Sequence, residues 1–415
     1  MADPVSAQLP DELLLDIFIH SISDYGLIDD FLDSIATQRL TLPFHAQFSS
    51  LEEWKRRTQT LLYLSRVSKS WFRVATPLLY EVIRVYRPTM VFALLRASSE
   101  APVLLGHIKQ LGSEIDYSED ALKTGESNRD LAHAFKELAS RCPNLYVLQN
   151  PYLGSNDDQH PIVFPSLRLY EGLLHPLVSS SQTTLQYLIL QDDGNHLYHN
   201  LQGLSFPLLR VLDLTRTDSR TYPIIMSWEM PALTELRGRF NQKRFSYDVI
   251  AKAAKTLRRL QIQISNLDEP WDYSEPDIGT PIPLPHLSEV IVCAGDGVSV
   301  GLSIDWFMGF CSLNSLRFIT MNIPKESKAF FMTILAFIRI FESPKTPKAL
   351  TIRIGEASLN PQKCEWSALD HAAIRNVIYQ VVQRLIGDGA NVLFAMPNGT
   401  YDTLLWFNLE YYSPH

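Results

Sequence analysis

Residues Phe206 to Leu214 read FPLLRVLDL. In an extended chain successive side chains alternate between two faces, so Leu212 and Leu214 share one side while Val211 and Asp213 take the other. One such strand cannot bury its apolar side alone. The same template, an apolar residue, an optional proline and then Leu-x-x-Leu-x-Leu, recurs along the chain. It is found in PNLYVL (143–148), FPSLRLY (164–170), TLQYLIL (184–190), MPALTEL (230–236), TLRRLQIQI (256–264), LPHLSEVIV (284–292) and NSLRFITM (314–321).

The anchoring leucines are Leu145, Leu167, Leu185, Leu209, Leu233, Leu257, Leu287 and Leu316, separated by steps of 22, 18, 24, 24, 24, 30 and 29 residues. Recurrence at such a period is the signature of repeat architectures. Parallel stacking of the strands, each followed by a helix or irregular return, turns the separate apolar sides into one continuous core. Proline suits the first strand residue, where its missing N–H lies outside the ladder. ALTIRI (349–354) and NVLFAM (391–396) continue the series, and SYDVIAKAAKTL (246–257) and SKAFFMTILAFIRIF (327–341) have the pattern of helical returns.

These segments resemble the leucine-rich repeat over residues 143–355. The Asn or Cys that the family places eight residues beyond the anchor is met only by Asn241; Asp193, Thr217, Ser265 and Gly295 stand at the equivalent positions. The repeats are therefore expected to be irregular. The resemblance implies an α/β solenoid of parallel strands with helical returns over residues 143–400. A binding face would be formed by side chains between the buried leucines. The substrate-face candidates are Tyr187, Asp213, Glu235, Arg237, Arg259, Gln261, Glu289 and Phe318, together with Ile189, Val211, Gln263, Ile291 and Thr320. Their mixed charge and aromatic content suit a protein surface.

A second signal lies near the N-terminus, where Leu9 to Phe18 read LPDELLLDIF. Pro10 fits the first helical position, Asp11 and Glu12 suit the positive end of the helix dipole, and Leu13, Leu14, Ile17 and Phe18 recur at helical spacing. Further helical patterns carry Leu61, Leu62, Leu64 and Val67, then Val74, Ala75, Leu78 and Leu79. Residues 1–53 hold ten acidic side chains against one basic, Arg39, whereas residues 54–88 hold eight basic against one acidic, Glu81. The basic half can attract the acidic half or an acidic partner.

Leu9-Pro10-x-Glu12-Leu13-x-x-x-Ile17 and Leu61-x-x-Leu64-x-x-Val67-Ser68-Lys69-x-Trp71-x-x-Val74-Ala75 together resemble an F-box. Residues 5–88 would form this helical module, with an insertion at about 24–58 where the family has a short connection. Residues 89–142 would be a helical linker or first cap, and the apolar tail at 401–415 a C-terminal cap. The resemblance implies docking onto the Skp-type adaptor of a cullin-RING ubiquitin ligase through Leu9, Pro10, Leu13, Ile17, Leu64, Val67 and Trp71. An F-box followed by leucine-rich repeats implies a substrate adaptor, holding an unknown protein substrate near the ligase, with no enzymatic activity and no cofactor of its own. The alternatives are a repeat scaffold that never meets the ligase, and an α/β enzyme with a hidden pocket.

The remaining sequence features exclude rather than assign. The chain has 415 residues, 46% of them hydrophobic, and a net charge of -8. A pI near 5.8 argues against a general nucleic-acid or anionic-membrane binder. Cys142, Cys293, Cys311 and Cys364 form no C-x-x-C pair and suggest neither a disulfide framework nor a zinc site. The opening MADPVSAQ lacks the charged and apolar regions of a secretory leader, and the longest apolar run, AFFMTILAFI (329–338), is far short of the roughly 20 residues of a membrane span. A cytoplasmic or nuclear protein is expected. His196 and His199 beside Asp192 and Asp193 read as a solvated turn rather than a metal site. Gly295, Gly297 and Gly301 are spaced one residue too widely for a dinucleotide fingerprint.

Overall fold

The structure is a computed structural model, and it describes residues 10–22, 51–115, 125–151, 163–191, 201–217, 221–239, 243–264, 282–294, 311–312, 315–322, 351–354, 380, 383, 387, 391–395 and 401–402. The chain is mixed α/β, with parallel strands and helices. It divides into two compact units, residues 1–184 and 185–415.

The first unit runs α1 (Asp11–Ser21), α2 (Leu51–Ser65), α3 (Lys69–Glu81), β1 (Val82–Val85), α4 (Pro88–Glu100), a 3-10 turn (Pro102–His107), β2 (Gln110–Ser113), α5 (Gly125–Ser140), β3 (Val147–Gln149), β4 (Leu169–Leu173) and α6 (Leu177–Ser180). Its strands pair in chain order and in parallel, with Ile83, Leu111, Leu148 and Tyr170 in one row. The three N-terminal helices enclose a separate small core of Leu14, Phe18, Ile22, Leu61, Val74, Ala75 and Leu78.

The second unit runs β5 (Tyr187–Gln191), β6 (Val211–Arg216), α7 (Tyr222–Met226), β7 (Glu235–Arg239), α8 (Lys243–Ala253), β8 (Arg259–Ile264), β9 (Glu289–Ala294), β10 (Phe318–Asn322), β11 (Thr351–Ile354), β12 (Asn391–Ala395) and β13 (Tyr401–Asp402). Strands β5 to β12 are parallel neighbours in chain order, and β13 pairs antiparallel with β12. Helix α8 overlaps one of the two expected helical returns, 246–257, and begins three residues before it; the other, 327–341, lies outside the described residues.

The template has a direct structural meaning. All eight anchoring leucines are buried. Where proline is present, the anchor N–H donates to the carbonyl three residues back: Leu145 to Cys142, Leu167 to Phe164, Leu209 to Phe206, Leu233 to Met230 and Leu287 to Leu284, at 3.2–3.3 Å. Proline therefore occupies the second position of a tight turn, for which its fixed φ is preset. The strands begin four residues later, which corrects the expectation that proline is the first strand residue. The apolar residue opening each turn is buried as well, and this explains its place in the template.

A second bond repeats with the same register. The carbonyls of Lys109, Tyr146, Gln186, Arg210, Thr234, Arg258 and Ser288 each accept two consecutive N–H groups from the start of the next strand. Each repeat is thereby locked to its predecessor at the same point.

The parallel array begins earlier than residue 143. Strands β1 and β2 already belong to it; β1 lies within the expected helical module 5–88 and β2 within 89–142, so neither segment is purely helical. The equivalent anchor before β2 is Ile108, whose N–H donates to Leu105 at 3.2 Å across a turn with glycine, Gly106, in place of proline. Helix α2 starts at Leu51, inside the expected insertion; 24–50 and 403–415 lie outside the described residues.

Candidate functional site

Three consecutive leucines, Leu13 to Leu15, enter α1, and a helix can point only part of such a run at one core. Leu14 and Phe18, one turn apart, take the inward positions at 1% and 0% exposure. Leu13 and Ile17, also one turn apart, are left 50% and 42% exposed. With Asp16, His20 and Ser21 they line a shallow groove of about 500 Å³. Asp11 at the first turn pairs with Arg73 of α3 at 2.6 Å and ties the two helices together.

Helix α3 supplies the neighbouring surface. Ser68 caps it by accepting from the Trp71 N–H at 3.2 Å, and the Trp71 ring meets Phe18 edge-on at 5.2 Å. Of the positions expected to face a partner, Pro10, Leu13, Ile17 and Val67 are exposed. Leu64 and Trp71 are half-buried against the small core, and Leu9 lies outside the described residues. Leu62, which belongs to the second helical pattern but not to the motif, and Tyr63 and Phe72, which belong to neither, are exposed as well. Their signal was available: each sits one or two helical steps of about 100° from an inward residue, buried Leu61 or half-buried Trp71, on a helix with one inward face.

The helical module joins the strands through a buried charge cluster. Glu81 ends α3 and β1 follows directly. Its carboxylate accepts from Arg57 Nη2 at 3.0 Å and pairs with Lys109 Nζ at 3.2 Å. Burial lowers the pKa of Arg57 from the ordinary guanidinium value, while the charge of Glu81 and its hydrogen bond act in the opposite direction. Trp54 Nε1 donates to the Val82 carbonyl at 2.9 Å, so α2 is fastened to the start of β1.

The strand side chains do not form the exposed face expected of them. Tyr187, Asp213, Arg237 and Glu289 are buried, as are Ile189, Val211 and Ile291, and Glu235, Arg259, Gln261 and Phe318 are half-buried. The side chains of Gln263 and Thr320 lie outside the described set. The correction has a physical cause. Parallel neighbours lie only about 4.8 Å apart, so equivalent residues in a row shield one another, and the charged ones pair across the strands. Val211, Glu235, Arg259, Glu289 and Phe318 share one row, and Asp213, Arg237, Gln261 and Ile291 the next.

Within these rows Arg237 binds Glu235 at 2.6 Å, while Arg259 binds Glu289 at 2.7 Å and Glu235 at 3.3 Å. Burial alone would lower the pKa of Arg259, yet Glu235 and Glu289 outweigh it and hold the guanidinium above its ordinary value. Asp213 accepts from the Thr215 N–H at 2.9 Å and from its hydroxyl at 2.6 Å. Burial raises the Tyr187 phenol above its usual range, and its hydroxyl has no hydrogen-bond partner among the described residues. The first unit carries an uncharged counterpart: Gln110 donates to Gln149 at 2.6 Å, and Gln149 to Glu171 at 2.8 Å. This arrangement neutralises the buried charges and packs the strand face.

Cys142 is buried, its Sγ 3.2 Å from the Leu138 carbonyl, and burial pushes its thiol from 9.0 up to about 12. Iodoacetamide at pH 8 is expected to leave Cys142 unlabelled in the folded chain and to label it in urea, as mapped by peptide mass spectrometry. Rapid native labelling would contradict the burial. Because the unfolded thiol ionises near its ordinary value, this group withdraws stability as pH rises from about 9 towards about 12.

Among the described residues no three His, Cys, Asp or Glu side chains are placed to hold a metal, and no helix is long and apolar enough to cross a membrane. The His196/His199 and Gly295–Gly301 stretches lie outside the described residues. No known family model matches the chain, and no curated protein matches it significantly.

Proposed function

We propose that the chain is the substrate-recognition subunit of a Skp-cullin-F-box ubiquitin ligase, with an F-box-like helical module followed by an irregular leucine-rich-repeat solenoid. The observation that carries this reading is the exposed pair Leu13 and Ile17 on a helix whose other face is anchored by buried Leu14 and Phe18. The helix is folded without them, so their apolar surface is available to a second chain. Val67 in the turn before α3 and Trp71 on α3 continue the same motif. The N-terminal bundle is small, and a partner's surface would complete it.

The mechanism is proximity. One end docks the Skp-type adaptor, the other holds a protein substrate, and the tether raises the local concentration of the target at catalytic groups carried by other subunits. The charged rows of β6 to β9 hold the strands together.

Co-purification with a co-expressed Skp-type adaptor, and titration of the purified chain with it, test the reading. Leu13→Asp and Ile17→Asp should each weaken the complex by about 2 kcal/mol, roughly thirtyfold, as for central interface residues. Both side chains are solvent-exposed, so the melting temperature should stay near wild type. Unchanged co-purification of both variants, or no complex with the wild-type chain, would sink the proposal.

A further inference from the structure

The edge of the second unit at which its parallel strands begin carries a line of cations that the buried charge rows do not use. Gln186, Arg210, Thr234, Arg258, Ser288 and Arg317 immediately precede β5 to β10. The N–H of each of the last five donates to the carbonyl of the one before it at 2.8–3.0 Å, so the six are consecutive steps of one register. Arginine takes every second step. Arg210, Arg258 and Arg317 are exposed, with uncharged, half-buried Thr234 and Ser288 between them. Residues 206–210, 230–234, 253–258, 284–288 and 315–317, which form this edge, hold four Arg or Lys side chains and no Asp or Glu, in a chain of net charge -8. The carboxylates one residue further on, Glu235 and Glu289, are bound by Arg237 and Arg259, whereas Lys255, Arg258 and Arg317 make no ion pair among the described residues. Pro207, Leu208, Pro231 and Pro285 are exposed in the same turns and add apolar surface beside the charges.

We propose that this edge binds an extended acidic peptide with a carboxylate at every third residue, the segment by which a target protein is held. The inference rests on the ligase reading and names the target chemistry for it. Charge spacing decides the occupant. Parallel strands lie about 4.8 Å apart, so alternate steps set the arginines about 10 Å apart. A peptide in the polyproline conformation advances about 3.1 Å per residue with three residues per turn, which returns every third side chain to one face after about 9 Å. The phosphates of a nucleic-acid duplex recur about every 3.4 Å along each strand, a spacing this line of charges does not match. Each exposed pair contributes little alone, so selectivity comes from three pairs meeting in register.

Fluorescence anisotropy of the full chain with a labelled (Glu-Pro-Ala)4 peptide tests this. The wild-type chain should bind it, less tightly as salt rises. A peptide of the same composition with its four glutamates adjacent should bind about fivefold more weakly. Arg258→Glu with Arg317→Glu should weaken binding about tenfold and flatten the salt dependence, and Arg258→Gln with Arg317→Gln should lie between. These side chains are exposed, so the melting temperature and the capture of a Skp-type adaptor should match wild type. No binding of the spaced peptide, equal binding of the two peptides, or indifference to charge reversal would overturn this inference and leave adaptor capture, and with it the ligase reading, untouched. Peptide binding as expected without adaptor capture would support the edge as a peptide site and remove the ligase reading. Tighter binding of a short DNA duplex than of the spaced peptide, lost on the double reversal, would replace the peptide with nucleic acid and equally overturn the inference.

Discussion

Glu81→Ala should destabilise the first unit by about 3–5 kcal/mol, the range for removing one member of a buried ion pair. Arg57 and Glu81 have side chains only 5% and 7% exposed. Without the carboxylate, Arg57 keeps its charge in a site where burial already works against it, and among the described residues its remaining hydrogen bond is to the Leu78 carbonyl at 3.2 Å. Lys109 loses one contact as well, and at 29% side-chain exposure it can turn to solvent. Two controls make the origin of the loss visible. Glu81→Gln keeps the volume and should cost less, and Arg57→Met combined with Glu81→Leu should recover most of the loss, because an apolar pair of similar size avoids the desolvation of both charges. Urea unfolding followed by local hydrogen exchange measures each variant; a loss below about 1 kcal/mol for Glu81→Ala would mean that the cluster is well solvated, against this account.

Leu209→Ala should cost about 2–5 kcal/mol, while Leu208→Ala, one residue away, should stay within about 0.5 kcal/mol. The two leucines are identical in sequence terms and opposite in environment. Leu209 is fully buried behind the turn that opens at Phe206, whereas Leu208 follows Pro207 at the outside of that turn and is 47% exposed. Truncation of Leu209 removes a fully buried side chain and leaves a cavity behind the turn. Paired urea titrations of the two variants check the difference, and equal midpoints would refute the turn-and-strand assignment of the template.

That contrast also shows where the sequence was legible. Anchor leucines, parallel pairing and the helical N-terminus follow from spacing, because a period near 24 residues and an i, i+4 stripe each have one economical packing solution. The first array strands were hidden because Ile108 and Gly106 stand where the template expects leucine and proline. The role of proline was misplaced by four residues, since a turn and a strand start leave the same mark in a sequence. Exposure of the second strand face was the larger error. Alternation tells which side Asp213, Arg237 or Glu289 takes, but whether that side meets water depends on partners from strands 24–30 residues away. At the candidate docking face the motif identified Leu13, Ile17 and Val67, and a three-leucine run supplied the reason two of its members cannot be inside. Tyr63 and Phe72 escaped because a motif records shared positions rather than the whole surface.

Hydrogen-exchange mass spectrometry of the full chain, with and without a purified Skp-type adaptor, tests the account most directly. The account predicts that amides in residues 10–22 and 62–73 gain protection on adding the adaptor, while those in β6 to β8 keep the protection they already have. Unchanged exchange across both helical segments, or new protection confined to the strands, would contradict it.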